Sequence, residues 1–197
     1  ARTYTRADAL PGDRIYRVFE DARGKVETSG QFTTMGVPPG RYVPRAQNLP
    51  PGCALLSATV GGQDMSDEAL EVGSGDANGV VITLTDQPTE ITGIVSAGTT
   101  GAPDTGAAVI AFPTDSTAWV GRGTNPRRIR TTRPSKDGTF TFTNLPPGTY
   151  FIGAVPDVTA PDWQDPRFLE ALSRSAARVL LGPGEKKSQN VQTAPVR

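Results

Sequence analysis

The sequence contains no histidine and a single cysteine, Cys53. Ser-His and Cys-His nucleophile pairs and zinc-histidine chemistry are therefore excluded, because the commonest general base and a frequent metal ligand are both missing. One thiol allows no internal disulfide and no thiolate cluster. Cys53 itself is either a reactive thiol or, on the simpler reading, a small half-buried side chain near a turn. Long apolar runs are also lacking: no stretch approaches the roughly 18 residues of a membrane span, and no signal peptide is visible. Nor does charge of one sign prevail, since 20 Lys and Arg balance 20 Asp and Glu. Nothing global steers the chain toward nucleic acid or anionic lipid, and with no long apolar run no direct membrane insertion is expected. Ala1 in place of an initiator methionine fits a mature secreted product or a fragment of a longer protein.

What is plentiful is glycine (22) and proline (18). That mixture suits short strands joined by tight turns and argues against a helical bundle. At 197 residues the chain is long enough for one large domain or two smaller ones, each with its own core.

A repeat decides between these. "GQFTTMGVPPGRY" at 30–42 and "GTFTFTNLPPGTY" at 138–150 agree at seven of thirteen positions, at an offset of 108. Downstream, "LEVGSGD" at 70–76 lies over "VLLGPGE" at 179–185, at an offset of 109. Two pairs of landmarks at nearly one offset indicate two copies of one domain. In the second copy, Asp137-Gly138 is a hairpin signal leading into a strand whose Phe140 and Phe142 face one side. Pro146 and Pro147 lack amide hydrogens and stop the ladder; Gly148 permits the reversal, and Tyr150 to Val155 resumes as a strand.

The remaining strands of the second copy are placed at 90–96, 107–112, 128–133, 178–181 and 188–193. Those of the first copy are placed at 14–20, 25–29, 31–35, 41–46, 55–60, 69–72 and 80–85. Many short strands with frequent turn signals predict an all-β chain of two tandem β-sandwiches, 1–86 and 87–197, divided near "DQPT". One helix is predicted over 166–177, with Asp165 as N-cap, Pro166 at the first position and an apolar stripe of Phe168, Leu169, Leu172 and Ala176. It is expected to lie across a sandwich edge or end, its stripe serving core packing. In the first copy, little precedes Arg14 to match "ITGIV" at 91–95, and Thr3 to Thr5 is a weak candidate. A missing first strand leaves an open edge, which an upstream segment or a neighbouring subunit would cover by strand addition.

The motif "DGTFTFTNLPPGTYFIGAV" at 137–155, with "VPPGRY" at 37–42 as a second instance, resembles the hallmark of carboxypeptidase regulatory-like domains. That resemblance implies transthyretin-like (prealbumin-like) Greek-key, Ig-like sandwiches in tandem, as in bacterial envelope and secreted proteins. It covers most of residues 14–197 and implies a non-catalytic accessory: a spacer, a folding aid, an adhesion module or part of an assembly. Transthyretin-like ureide hydrolases depend on histidines, which are absent. Related pilin-type sandwiches carry Lys-Asn bonds, yet Lys25, Lys136, Lys186 and Lys187 all fall in predicted turns or at strand starts.

Three constellations are candidates for binding. "GRGTNPRRIRTTRP" holds Arg122, Arg127, Arg128, Arg130 and Arg133 with no acid among them, in an insertion relative to the first copy. It either docks an acidic partner or phosphate, or is a solvated hairpin neutralised by nearby carboxylates. Trp119 and Trp163 either stack on sugar rings or pack beneath the Arg-rich loop or the helix. Asp157, Asp162 and Asp165 are oxygen ligands suited to calcium, but their spacing matches no EF-hand and Asp165 already caps a helix. The halves also differ in charge: residues 1–86 carry 8 basic and 11 acidic side chains and residues 87–197 carry 12 and 9. Opposite signs favour head-to-tail association with neighbouring copies.

The sequence thus reads as a structural or assembly module of a bacterial cell-surface, extracellular or periplasmic protein, a subunit of a larger assembly or filament, without catalysis, metal or cofactor. A glycan-binding module of a polysaccharide-processing protein and an accessory subunit docked on an envelope complex are the alternatives.

Overall fold

The computed structural model describes residues 8–9, 24–46, 48–98, 100–120 and 126–196. The protein is all-β with one short α-helix. One compact unit runs to Gln87; a second comprises Pro88 to Val120 and Arg127 to Arg197.

The first unit contains β1 (Asp8–Ala9), β2 (Gly24–Val26), β3 (Phe32–Thr34), β4 (Gly40–Val43), β5 (Ala54–Val60), β6 (Gln63–Asp64), β7 (Leu70–Val72) and β8 (Val80–Thr85). They form the sheets β1-β4-β7 and β6-β5-β8 and the hairpin β2-β3. The predicted strand over 14–20 and the candidate Thr3 to Thr5 lie outside the described residues. The strand found beside β4 is Asp8–Ala9, held by backbone pairing to Val43 and Tyr42, with no strand-forming side chains to announce it. Burial is centred on Tyr42, Val43, Ala54 and Ala58. Ser66 is buried beside them, its hydroxyl accepting from Ala58 N at 2.8 Å and donating to Asp64.

The second unit contains β9 (Glu90–Ala97), β10 (Ala107–Pro113), β11 (Arg130–Thr132), β12 (Thr139–Thr143), β13 (Gly148–Pro156), β14 (Ala177–Leu181), β15 (Lys186–Ser188) and β16 (Val191–Thr193). The strand order is β11-β10-β13-β16-β9-β12, with β14 on β13 and β15 on β9. Strand 188–193 of the prediction is two short strands, both parallel to β9 in one continuous register; the ladder is interrupted at Gln189 and Asn190, where the Asn190 side-chain oxygen, not a backbone carbonyl, accepts from Ile94 N at 2.9 Å.

All seven residues of β10 are buried, which means that both faces are covered. Val109 and Ala111 point into the sandwich with Ile91, Val95, Phe140, Phe142, Tyr150, Ile152, Val179 and Leu181. Ala108, Ile110 and Phe112 point the other way, against Leu169 and Leu172 of α1 (Pro166–Ser173) and Ala160 of a preceding 3-10 segment, Asp157–Gln164. Each large apolar side chain so enclosed stabilises the fold by about 1.5–3 kcal/mol relative to exposure.

The helix therefore packs on the outer face of the β10–β13 sheet, not on an edge or end as predicted. Its approach is close: a Cβ on Gly153 would lie 2.8 Å from Leu172 Cδ1. The helix also ends at Ser173, four residues before the predicted Ala177. Ser173 and Ser175 turn their hydroxyls back onto the carbonyls of Glu170 and Leu172, ending the helix, and Ala177 is drawn into β14 by pairing with Ile152. Its start is as predicted, with Asp165 Oδ1 accepting from Arg167 N at 2.9 Å.

The two Pro-Pro-Gly segments behave alike. Gly40, Arg41 and Tyr42 pair with Val72, Glu71 and Leu70; Gly148, Thr149 and Tyr150 pair with Leu181, Leu180 and Val179. Tyr42 Oη donates to Pro38 O at 2.7 Å, and Tyr150 Oη donates to Pro146 O at 2.6 Å. A proline carbonyl in the turn has no ladder partner, and the tyrosine four residues on supplies the donor.

Candidate functional site

The two segments part company in what surrounds them. Phe140 and Phe142 on β12 are 1% and 5% exposed, because β9 pairs with β12 along its whole length. The corresponding residues of β3 are Phe32, half-buried, and Thr34, exposed; Met35 just beyond is 68% exposed. Among the described residues β3 pairs only with β2. The bond from Glu27 N to Gln31 O sets the alternation of the hairpin. It turns the amide and carbonyl of Thr33 toward Lys25 and those of Phe32 and Thr34 away from β2. Phe140 and Phe142 direct the same groups to β9. Gly93 of β9 lies opposite Phe140, where any Cβ would meet the ring at 2.8 Å and would run into Gln189 O.

The second unit holds an open groove of about 320 Å³ between the edge strand β11 and the 3-10 segment, lined by Ala108, Thr131, Thr132, Arg133, Asp157 and Trp163, among others. Pairing of β10 with β11 on one side and β13 on the other brings Arg133 and Asp157, 24 residues apart, together at the ends of their strands. Arg133 Nε donates to Asp157 Oδ1 at 2.8 Å. The Arg133 side chain is 75% exposed, so the pair contributes little to stability and leaves the guanidinium accessible.

The other arginines of the candidate cluster do not converge there. Arg128 reaches the Pro-Pro-Gly turn, donating from Nη1 to Pro147 O at 3.0 Å and to Tyr150 Oη at 3.3 Å. Arg127 is half-buried and engaged, Arg130 is exposed on β11, and Arg122 lies outside the described residues. The two tryptophans also separate. Trp119 is half-buried, donates from Nε1 to Pro113 O at 2.8 Å and meets Phe112 edge-on at 5.7 Å. Trp163 is half-buried against the outer cluster and lines the groove.

Of the three acids weighed as calcium ligands, Asp157 is paired to Arg133 and Asp165 caps α1. Among the described residues no three His, Cys, Asp or Glu side chains converge as a metal site. Cys53 is half-buried, its N–H donating to Pro50 O at 3.0 Å. No helix among the described residues is long and apolar enough to cross a membrane.

Sequence reasoning did not single out Thr131 and Thr132 or the pairing of Asp157 with Arg133. The available signal was indirect: Arg133 follows a strand and Asp157 follows another, and both strands flank β10.

No protein-family model and no curated protein matches the sequence. Among solved structures, the chain is similar to the Bacillus anthracis TIE protein at 13% identity, over 97% of this chain and 30% of that one, with a TM-score of 0.35. It is similar to a streptococcal ancillary pilin at 15% identity, over 90% and 51%, with a TM-score of 0.37. The group B streptococcus pilus 2b backbone protein gives 15% identity, 98% and 85%, and 0.34. The chain thus spans 30% and 51% of the first two. TM-scores below 0.5 establish no common fold.

Proposed function

We infer that this chain is a non-catalytic assembly module that accepts a β-strand from a neighbouring subunit along β3. The observation that carries this reading is the contrast between β12, enclosed by β9, and β3, whose outward amides and carbonyls at Phe32 and Thr34 have no strand beside them among the described residues. The matching registers and tyrosine bonds around both Pro-Pro-Gly turns support two copies of one carboxypeptidase regulatory-like sandwich, the first short of one strand. An unpaired edge beside a half-buried phenylalanine is an invitation to strand addition. The second copy supplies the template for the incoming strand: apolar residues alternating outward from a glycine that sits over the phenylalanine, as Ile91, Gly93 and Val95 do. A cell-surface or extracellular setting, where such modules are strung into assemblies, is part of the same reading.

The test is binding of a fluorescent peptide with the sequence of residues 89–97 to the full chain, followed by anisotropy, with electron microscopy of the chain alone and with its neighbours. Binding that Thr34→Pro weakens at least tenfold is expected, because that substitution deletes an outward amide. No binding, or binding indifferent to Thr34→Pro, would overturn the reading.

A further inference from the structure

The groove between β11 and the 3-10 segment Asp157–Gln164 carries chemistry that a strand-accepting edge does not use. It is built entirely from the second unit. Its volume of about 320 Å³ falls at the small end of sites that hold small molecules, roughly 300–1,000 Å³. We propose that this groove is a subsite for an acidic saccharide, a uronate residue of a polysaccharide, with Arg133 holding the carboxylate and Trp163 carrying the sugar ring.

The case rests on which groups are engaged and which are left over. Asp157 takes only Nε of Arg133, so it fixes the plane of the guanidinium and leaves the two terminal nitrogens, which have no other partner among the described residues. A guanidinium so held presents the planar fork that matches a carboxylate in two parallel hydrogen bonds. Trp163 offers a large flat apolar surface, anchored on one side by the outer cluster, and its indole N–H has no partner among the described residues. An aromatic body with a polar edge suits a ring that has an apolar face and a rim of hydroxyls. Thr131 and Thr132 line the same groove, and neither hydroxyl has a partner among the described residues.

Asp157 selects among anions. Its second oxygen, Oδ2, is an acceptor for sugar hydroxyls, whereas a phosphate dianion or a run of acidic residues on a peptide would meet its negative charge. A uronate residue, with one carboxylate among several hydroxyl donors, satisfies both members of the ion pair; an acidic peptide side chain, which brings no hydroxyl, satisfies one and opposes the other.

The experiment titrates the full chain with trigalacturonate, with the corresponding neutral trigalactose and with a glutamate-rich peptide, following the indole N–H of Trp163 by NMR and heat by calorimetry. Trigalacturonate is expected to shift the Trp163 signal and to bind more tightly than the neutral sugar. Arg133→Gln, exposed and therefore compatible with folding, is expected to lower the affinity about 10- to 100-fold and to abolish the preference for the acid. Trp163→Ala is expected to remove binding of both sugars. Failure of trigalacturonate to bind, equal binding of the neutral sugar, affinity unchanged by Arg133→Gln, or tighter binding of the peptide would each overturn the proposal.

Discussion

Removing one oxygen from Tyr150 tests the account of the Pro-Pro-Gly turn. Tyr150 is fully buried, donates to Pro146 O at 2.6 Å and accepts from Arg128 Nη1 at 3.3 Å. Tyr150→Phe keeps the ring and its packing, and Arg128 keeps Pro147 O at 3.0 Å. What is lost is the donor to a buried carbonyl, at a cost of about 1–3 kcal/mol when water cannot replace it. In a unit of roughly 100 residues each kcal/mol moves the melting temperature by about 4–8 °C. Tyr150→Phe is therefore expected to melt at least about 4 °C below the parent in calorimetry, with a lower urea midpoint. Tyr42→Phe is the internal control: the same bond to Pro38 O, at 2.7 Å, is only part-buried, so water can take over and the loss is smaller. A Tyr150→Phe protein that melts within about 1 °C of the parent, or a larger loss for Tyr42→Phe, would refute the reasoning.

Two further substitutions probe packing and charge. Gly93→Ala places a Cβ against Gln189 O and the Phe140 ring, a clash with backbone, and is expected to exceed the usual overpacking cost of about 1–3 kcal/mol; Gly153→Ala meets only side-chain atoms of Leu172 and should cost less, so equal denaturation midpoints would count against this. Asp137 accepts hydrogen bonds from the Ser135 hydroxyl and Thr139 N, which hold its carboxyl below its ordinary value of 3.8. A carboxylate favoured in the folded state adds stability above that value, and the contribution disappears as pH falls through the lowered one. Asp137→Asn is thus expected to flatten the acid limb of the stability-versus-pH curve, and an unchanged acid limb would contradict it.

The short-range features were legible because they rest on local chemistry. Asp165 and Pro166 start a helix wherever they stand before an apolar stripe, and Pro146 and Pro147 interrupt a ladder in any context. The offsets of 108 and 109 between landmarks reappear as matching registers of β4 on β7 and β13 on β14. The helix end was misplaced for the opposite reason: residues 174–177 have helical spacing, but pairing of Ala177 with Ile152 and the serine hydroxyls prevail.

By itself the sequence determined the all-β character, the turn chemistry, the exclusion of histidine-dependent catalysis and the equivalence of the two Pro-Pro-Gly segments. Those follow from composition, periodicity and the backbone limits of proline and glycine. Only the tertiary structure decided that β10 is covered on both faces, that Arg128 serves a turn while Arg133 meets Asp157, and that Phe140 is enclosed where Phe32 is not. The physical reason is that each depends on which distant strand lies alongside, and strand pairing is set by the summed burial of a whole sheet rather than by any residue's neighbours in sequence.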